Sequence, residues 1–333
     1  MVTVGLFGAG RIGIVHAANI VANSRAQLAY VYDPNTLAAD AIAGDYGARV
    51  APSIEAVLAD RAVDAVLIAS PTSTHVDLIT ASAQAGKAIL CEKPIDLNIE
   101  RVERCRKAIA GTGVAVQMDF NRRYDRSHRA VREAVRGGDV GALELLAITS
   151  RDPGLPSQPY LRVSGGIFRD MTIHDFDMAR FILGEDRIEE IYAAGSVLVD
   201  PALKEFGDVD TDMVVMKTVS GVLVHVSNSR RTAYGYDQRV EAFGASGMVQ
   251  SDNLRADAVV RHGASATDAK SPLLNFFVER YAQAYVDEFD DFVDVVAGKK
   301  APQVNFEDGR LALILADAAW ASLKSGKAVR VVY

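Results

Sequence analysis

A glycine-rich turn between a strand pattern and a helical pattern constrains this chain most. Residues 2 to 7, VTVGLF, are typical of a short buried strand. Gly8, Gly10 and Gly13 follow at the spacing GxGxxG, and the helical run IVHAANIVAN comes next. Gly8 permits a tight turn, Gly10 lets a pyrophosphate approach the main chain, and Gly13 lets the helix pack close to the strand. Because the amino end of a helix also attracts phosphates, the pattern predicts a dinucleotide-binding βαβ unit.

Asp33 is the second cofactor signal, since it ends the strand pattern AQLAYVYD 20 residues beyond Gly13. An acidic side chain there accepts hydrogen bonds from the adenosine ribose and repels a 2′-phosphate, which predicts NAD rather than NADP. Arg11 and Ile12 of the turn are predicted to contact the cofactor as well. Alternatively, Asp33 only begins the DPN turn, because carboxylates favour such turns.

Strand and helix patterns alternate over the first third of the chain. This alternation predicts an α/β Rossmann domain with a parallel sheet over residues 1–120. Beyond VAVQMDFNRRYD, strand candidates joined by short turns predict an α+β second domain over 121–333 with a mostly antiparallel sheet. The closing helix, about 308–325, is expected to pack back on the first domain.

Composition argues against several kinds of partner. The 333 residues carry a net charge of −7 with both signs interspersed, so no basic stripe indicates nucleic acid or an anionic membrane. No apolar run approaches the roughly 20 residues that span a bilayer, and the first residues lack the features of an export signal, so a cytoplasmic protein is expected. Cys91 and Cys105 form no CxxC motif, which argues against structural zinc and disulfides.

Polar side chains follow two of the predicted parallel strands, at the edge where such sheets bind ligands. Ser70, Thr72 and His75 lie in SPTSTH after AVDAVLIAS, where they would flank the nicotinamide half of a dinucleotide. Hydroxyl groups in such a loop also serve as ordinary helix caps. His75 can equally be a packed residue at the start of the next helix.

The second of these loops, LCEKP, brings Glu92 and Lys93 to a strand end. Pro94 restricts the backbone of Lys93 to an extended conformation and so directs its side chain. A lysine in this place is either an exposed turn residue or part of a site. Its position at the ligand-binding edge favours a site that both Glu92 and Lys93 help to form.

One predicted helix, GGIFRDMTIHDFDMARFILG, interrupts the strands of the second domain. Asp170 and His174 are four residues apart, so a continuous helix would place them on one side. A carboxylate beside an imidazole fixes the orientation of the ring and raises its basicity, as a general base requires, although such a pair can also be purely structural. Asp175 and Asp177 are expected to be solvated or to act as caps.

Other basic residues carry weaker signals. Arg122 and Arg123 are adjacent, so along a strand they would face opposite ways and only one could reach a pocket; we favour Arg122. The remaining histidines have no carboxylate at a matching spacing and are expected to be structural or exposed: His16, His128, His225 and His262.

Three motifs together resemble the family of glucose-fructose oxidoreductase, inositol dehydrogenase and rhizopine-catabolism proteins. These are GAGRIG, the EKP of residues 92 to 94, and FRDMTIHDFDMAR, and the resemblance covers essentially the whole chain. Within the family the chain is most similar to the bacterial inositol 2-dehydrogenases. NRRYD at 121 to 125, SRDP at 150 to 153 and AYGYDQRVE at 233 to 241 support this placing.

The resemblance implies a second domain that binds a polyol and has a large open sheet whose exposed face forms a homotetramer. It also implies that Lys93, Asp170 and His174 form the catalytic group. The positions that match the lining of the polyol pocket are Asn121, Arg122, Asp152 and Tyr236.

The function expected on these grounds is NAD-dependent oxidation of a ring hydroxyl of a cyclic polyol, myo-inositol to 2-keto-myo-inositol. His174 would remove the hydroxyl proton, Asp170 would orient the histidine, and Lys93 would stabilise the developing alkoxide, with no metal required. Two alternatives remain open at this point. The chain could act on another inositol isomer or an aldose such as glucose, or it could be a non-catalytic sugar sensor that binds dinucleotide.

Overall fold

A computed structural model describes residues 1–333. The chain forms two compact units. The first comprises Met1–Asn121 and Ala284–Leu313, and the second comprises Arg122–Gln283 and Ile314–Tyr333. This division assigns the segment 284–313 to the first unit, while the roles expected for the two domains stay predictions.

The first unit contains a six-stranded parallel sheet, with spatial order β3-β2-β1-β4-β5-β6. The alternation of elements expected from the sequence is confirmed. Its elements up to residue 119 are β1 (Val2–Phe7), α1 (Arg11–Ala22), β2 (Ala26–Tyr32), α2 (Thr36–Tyr46), β3 (Arg49–Val50), α3 (Ile54–Ala59), β4 (Ala65–Ile68), α4 (His75–Gln84), β5 (Ala88–Glu92), α5 (Ile99–Ile109) and β6 (Val116–Asp119).

The later part of the chain adds a larger sheet and two long helices. Its elements are α6 (Arg126–Gly137), β7 (Leu143–Arg151), α7 (Gln158–Leu161), α8 (Ile167–Asp170), α9 (Ile173–Leu183), β8 (Ile188–Ser196), β9 (Thr211–Thr218), β10 (Leu223–Ser229), β11 (Asp237–Gly244), β12 (Gly247–Gln250), β13 (Val260–Gly263), β14 (Ala266–Lys270), α10 (Phe277–Arg280), α11 (Ala282–Val296), α12 (Phe306–Ser325) and β15 (Val329–Arg330).

The core of the first unit explains why 284–313 belongs to it. All six residues of β1 are buried, as in a parallel strand covered on both faces. Apolar residues of β1, β2 and β4 form one cluster with residues of α1 and α2. Phe289, Phe292 and Val293 of α11 complete the same cluster, so α11 covers part of the sheet although it comes late in the sequence.

The second unit is built on a seven-stranded sheet with order β12-β11-β7-β10-β9-β8-β15. Only the pair β7 and β10 is parallel, so the predicted mostly antiparallel sheet is confirmed. Residues alternate between buried and exposed along β9, which shows that the sheet is covered on one face. α9 packs against β7 in this unit.

None of the helices combines the length and the apolar character that crossing a bilayer requires.

Candidate active site

The glycine turn is sterically determined at two of its three glycines. Gly8 has φ +108°, and a Cβ atom there would lie 2.5 Å from the carbonyl group of Ala69. A Cβ atom on Gly13 would lie 2.2 Å from the carbonyl oxygen of Gly8. These close approaches hold the start of α1 against the ends of β1 and β4. No atom would lie within 4 Å of a Cβ atom on Gly10, which leaves open space over the turn.

The carboxylate of Asp33 accepts hydrogen bonds from two main-chain amides. Its Oδ2 atom accepts a hydrogen bond from the amide of Ala9 at 2.7 Å, which ties the end of β2 to the glycine turn. Its Oδ1 atom accepts a hydrogen bond from the amide of Asn35 at 2.8 Å, as the turn interpretation expects. The role of Asp33 at the adenosine ribose stays a prediction.

His75 is buried in the loop that follows β4. Its two ring nitrogens lie 2.8 Å from the carbonyl oxygens of Ser70 and Pro94. Burial lowers the pKa of His75, so a neutral ring donates to one of the two carbonyl groups. The side chain thus fits the packed alternative, and its predicted cofactor contact stays untested. Thr72 lies in the same loop and begins a short 3₁₀ helix, Thr72–Thr74.

Lys93 follows directly after β5 and is half-buried. The peptide bond between Lys93 and Pro94 is cis. Glu92, the last residue of β5, accepts a hydrogen bond from His16 across a distance of 3.0 Å. The expectation for His16 was a structural or exposed side chain, and the structure places it in a buried cluster of ionisable groups.

The helix expected to carry the Asp170 and His174 pair is two helices. α8 ends at Asp170, and α9 begins at Ile173, so His174 lies in the first turn of the second helix. The carboxylate of Asp170 accepts hydrogen bonds from the hydroxyl of Tyr160 at 2.7 Å and from the guanidinium of Arg230 at 2.9 Å. His174 is half-buried. The catalytic roles of both residues stay predictions.

The expectation that Asp175 and Asp177 are solvated or capping is wrong. Both are buried, with 0% and 1% of their surface exposed. Asp175 is 2.8 Å from the guanidinium of Arg122, and Asp177 is 2.5 Å from that of Arg123. A buried carboxylate requires such a partner because desolvation alone would strongly disfavour its charged form.

Arg122 and Arg123 lie in a 3₁₀ helix, Asn121–Tyr124, rather than in a strand. The premise that they face opposite sides of a strand is therefore wrong. Arg122 also donates to the hydroxyl of Ser150 at 3.1 Å and to that of Tyr236 at 3.4 Å. Arg122 and Tyr236, both predicted for the pocket, thus share one buried network in the second unit.

The other two predicted pocket residues lie in different units. Asp152 follows β7 in the second unit and is half-buried. Burial raises the pKa of its carboxyl group to about 6, against the opposing effect of Arg230 and Arg122. Asn121 is the last residue of the segment that begins the first unit and is 3% exposed. Its amide donates to Oδ1 of Asp119 at 3.3 Å.

A polar network also supports the first turn of α9, and sequence reasoning missed it. The side-chain amide of Asn228 donates to Thr172 and to Asp175, both at 2.9 Å. The hydroxyl of Thr172 donates to Asp212 at 2.9 Å. Asp212 and Asn228 point inwards from neighbouring strands β9 and β10, and a polar residue at a buried position of the strand alternation was the signal available.

The fold and the glycine turn define a dinucleotide-binding protein of the Rossmann class. Residues 2–120 match the oxidoreductase family with the NAD-binding Rossmann fold, and residues 128–250 match the GFO/IDH/MocA C-terminal domain. The chain belongs to the GFO/IDH/MocA oxidoreductase family, which confirms the resemblance seen in its motifs.

Relatives and solved structures match over nearly the full length. The chain is 46% identical over 330 residues to an inositol 2-dehydrogenase of Rhizobium meliloti (strain 1021), covering 98% of each chain. It superposes with a TM-score of 0.96 on a myo-inositol dehydrogenase from Corynebacterium glutamicum ATCC 13032, at 44% identity over 100% of this chain and 99% of the other. The TM-score is 0.92, at 27% identity and 99% coverage of both chains, for a scyllo-inositol dehydrogenase from Lactobacillus casei with bound NAD(H) and scyllo-inositol.

The cofactor is NAD, and the turn in the first unit fits it. Gly10 has no side chain, and no other atom lies within 4 Å of the position that a Cβ atom would take. A phosphate can therefore approach the main chain at Gly10. α1 begins without a side-chain cap, which leaves its amino end to attract an anion.

Proposed function

We propose that this protein catalyses the NAD-dependent oxidation of a ring hydroxyl of myo-inositol to give 2-keto-myo-inositol. The observation that carries the proposal is the full-length similarity to the inositol 2-dehydrogenase of Rhizobium meliloti, together with intact Lys93, Asp170 and His174. The buried hydrogen-bonding groups of the second unit support it, because a polyol presents several hydroxyl groups that each need a partner.

The cofactor would be held by residues of the first unit. Gly8 and Gly10 shape the turn, the amides of Arg11 and Ile12 begin α1, and Asp33 stands at the end of β2. The remaining predicted contacts are Ser70, Thr72, His75, Glu92 and Lys93. When bound, the oxidised nicotinamide supplies the acceptor for a hydride.

Three side chains of the chain itself would handle the proton. His174 accepts the proton of the reacting hydroxyl as a general base. Asp170 orients His174 and is itself held by Arg230 and Tyr160. Lys93 donates a hydrogen bond to the same oxygen and stabilises its developing negative charge. No step requires a metal.

Asn121, Arg122, Asp152 and Tyr236 would bind the hydroxyl groups that do not react. Arg122 is fixed by Asp175, so its remaining donors are presented in a set direction. Tyr236 is 5% exposed and its hydroxyl is polarised by Arg122. Pre-arranged donors of this kind favour one arrangement of axial and equatorial hydroxyl groups.

We also propose that the protein is a homotetramer of the cytoplasm, formed through the open face of the large sheet. Large apolar side chains are exposed on six of its strands: Leu145, Tyr192, Met213, Val215, Leu223, Phe243 and Met248. Apolar surface of this extent on a sheet is typical of a buried subunit interface. Sedimentation at several protein concentrations tests the tetramer.

A steady-state assay of NADH formation with myo-inositol, scyllo-inositol and glucose tests the activity. Myo-inositol should give the highest kcat/KM. Preference for scyllo-inositol would support the second candidate, a dehydrogenase for another isomer, which the Lactobacillus casei structure favours. Tight NAD binding without turnover of any polyol or sugar would refute the enzyme and support a sensor.

A further inference from the structure

A buried cluster of ionisable groups in the first unit centres on His16, a residue that has no role in the mechanism proposed for the chain. The Nε2 atom of His16, on α1, is 3.0 Å from Oε1 of Glu92 and 3.2 Å from Oδ2 of Asp119. His16 is 2% exposed and Asp119 is 1% exposed. The ring of Tyr285, on α11, packs edge-on against the imidazole with centroids 5.7 Å apart.

The register of the sheet places like charges side by side in this cluster. Glu92 and Asp119 are direct partners at the last paired position of β5 and β6. Like charges that face each other across two strands destabilise the pairing. A third carboxyl group, that of Glu288 on α11, is also buried, and neither of its oxygens has a hydrogen-bond partner. His16 hydrogen-bonds to Glu92 and forms an ion pair with Asp119, so it is the cation that faces these acids.

The charges of the cluster follow from burial and mutual contact. Burial alone would lower the pKa of His16, but Asp119 and Glu92 raise it to about 9. Burial and the charge of Asp119 raise the pKa of Glu92 to about 7, although Lys93 acts in the other direction.

Burial also favours the protonated form of the third acid. Burial, Asp119, Glu92 and the nearby Asp291 raise the pKa of Glu288 well above its usual value. Between about pH 7 and pH 9 the ring of His16 is therefore protonated and Glu92 is ionised.

We propose that His16 is a positioning residue for Lys93, an inference that rests on the proposed function. Glu92 immediately precedes Lys93, and Asp119 lies two residues before Asn121. By its hydrogen bond to Glu92 and its ion pair with Asp119, His16 sets the separation of the ends of β5 and β6 from its position on α1. It also ties both ends to the helix that follows the glycine turn. A displacement of a reacting group by about 1 Å can lower a rate about 10²-fold, so this separation matters for catalysis.

A metal ion is the competing occupant of the same place. One ligand atom from each of His16, Glu92 and Asp119 lies within 4.8 Å of the others, which is close enough to surround a cation. Nε2 of an imidazole either carries a proton or binds a metal, so the two arrangements exclude each other. The separation of 3.0 Å between His16 and Glu92 lies within the range of a direct N–H···O hydrogen bond and favours the proton.

The test compares His16→Asn, Asp119→Asn and the double variant, with the exposed His262→Asn as a control. His16→Asn leaves two facing carboxylates without a cation, so kcat should fall about 10-fold to 10²-fold while the Kd for NAD stays within about threefold. The double variant removes the imidazolium together with one carboxylate. The kcat of the double variant should therefore return to within about threefold of the wild-type value. If both residues had merely structural roles, the losses caused by the two single substitutions would add instead.

The pH profile supplies a second readout. The ratio of wild-type kcat to His16→Asn kcat should shrink towards one above pH 9, because the wild type then loses its imidazolium. A ratio that is constant with pH, or a double variant that is slower than His16→Asn, would overturn the proposal. Stoichiometric metal in the purified wild-type protein would overturn it in favour of a cation site.

Two measurements do not depend on turnover and so separate this inference from the proposed function. Crystal structures should show the Cα atom of Lys93 displaced by about 1 Å in His16→Asn and restored in the double variant. Nuclear magnetic resonance of the His16 ring should find it protonated at pH 8. An inactive wild type with both results would refute the enzyme assignment alone, whereas an unmoved Lys93 or a neutral His16 would refute the positioning role.

Discussion

The contrast between Gly13 and Gly10 provides the sharpest test of the cofactor site. A methyl group on Gly13 would lie 2.2 Å from the carbonyl oxygen of Gly8, roughly 1 Å inside ordinary contact. The obstacle is main chain, so it cannot rotate away as a side chain would. Overpacking of this kind costs about 1–3 kcal/mol, and the better helix propensity of alanine returns about 1 kcal/mol.

The expected result for Gly13→Ala is therefore a net loss of up to about 2 kcal/mol in the free energy of unfolding, or a fall of up to about 8 °C in Tm. NAD affinity should fall as well, by about 10-fold or more, because the amino end of α1 moves away from the phosphates. Thermal unfolding and titration calorimetry with NAD measure the two effects.

Gly10→Ala separates binding from stability. Nothing lies within 4 Å of the added carbon, so the Tm should stay within about 2 °C while NAD affinity falls about 10-fold. Gly44→Ala, in the last turn of α2 with equally open surroundings, is the matched control and should stabilise the protein by up to about 1 kcal/mol without affecting NAD binding. Unchanged NAD affinity in either Gly13→Ala or Gly10→Ala would refute the reasoning.

Three further predictions concern the base, the cofactor and the buried acid. His174→Ala should lower kcat by about 10²-fold to 10⁴-fold with NAD affinity largely retained, and near wild-type kcat in a steady-state assay would remove it from the mechanism. Asp33→Ala should weaken the binding of NAD and raise kcat/KM with NADP relative to that with NAD. Equal use of both cofactors by the wild type would contradict the role of Asp33. Burial raises the pKa of Asp212 from 3.8 to about 7, so the folded protein holds the proton more tightly than the unfolded chain does. The contribution of Asp212 to folding stability is therefore complete only below pH 3.8 and is lost as the pH rises through 7. Asp212→Asn should therefore reduce the loss of stability between pH 5 and pH 8 by up to a few kcal/mol in denaturant titrations, and an unchanged pH dependence would argue against a buried acid.

Much of the site could be read from local patterns in the sequence. The strand, glycine turn and helix at the start, the loops that end β4 and β5, and the change to an antiparallel sheet all appear where the patterns indicate them. Each of these depends on residues that are neighbours in the sequence. A strand end is recognisable from its own alternation, and a GxGxxG turn from its own spacing.

The errors share a different origin. Asp175 was expected in water because its own helix offered no reason to bury it, yet its partner Arg122 lies 53 residues away. The helix at Asp170 was expected to continue, since no proline or glycine interrupts it, but it ends and a second begins at Ile173. For His16 the structural alternative is compatible with its burial, but its acid partner could not be identified, because Glu92 is 76 residues distant in sequence.

The amino-acid sequence by itself determined the class of the fold, the glycine turn and the identity of the residues proposed for the chemistry. Hydrophobic periodicity and glycine spacing depend only on residues that are close together in the sequence, so a short motif is enough to show them. Only the tertiary structure decided which charges are buried and with which partners. A buried charge is tolerated when an opposite charge or a hydrogen-bond donor arrives from another element, and no local pattern records which element that is.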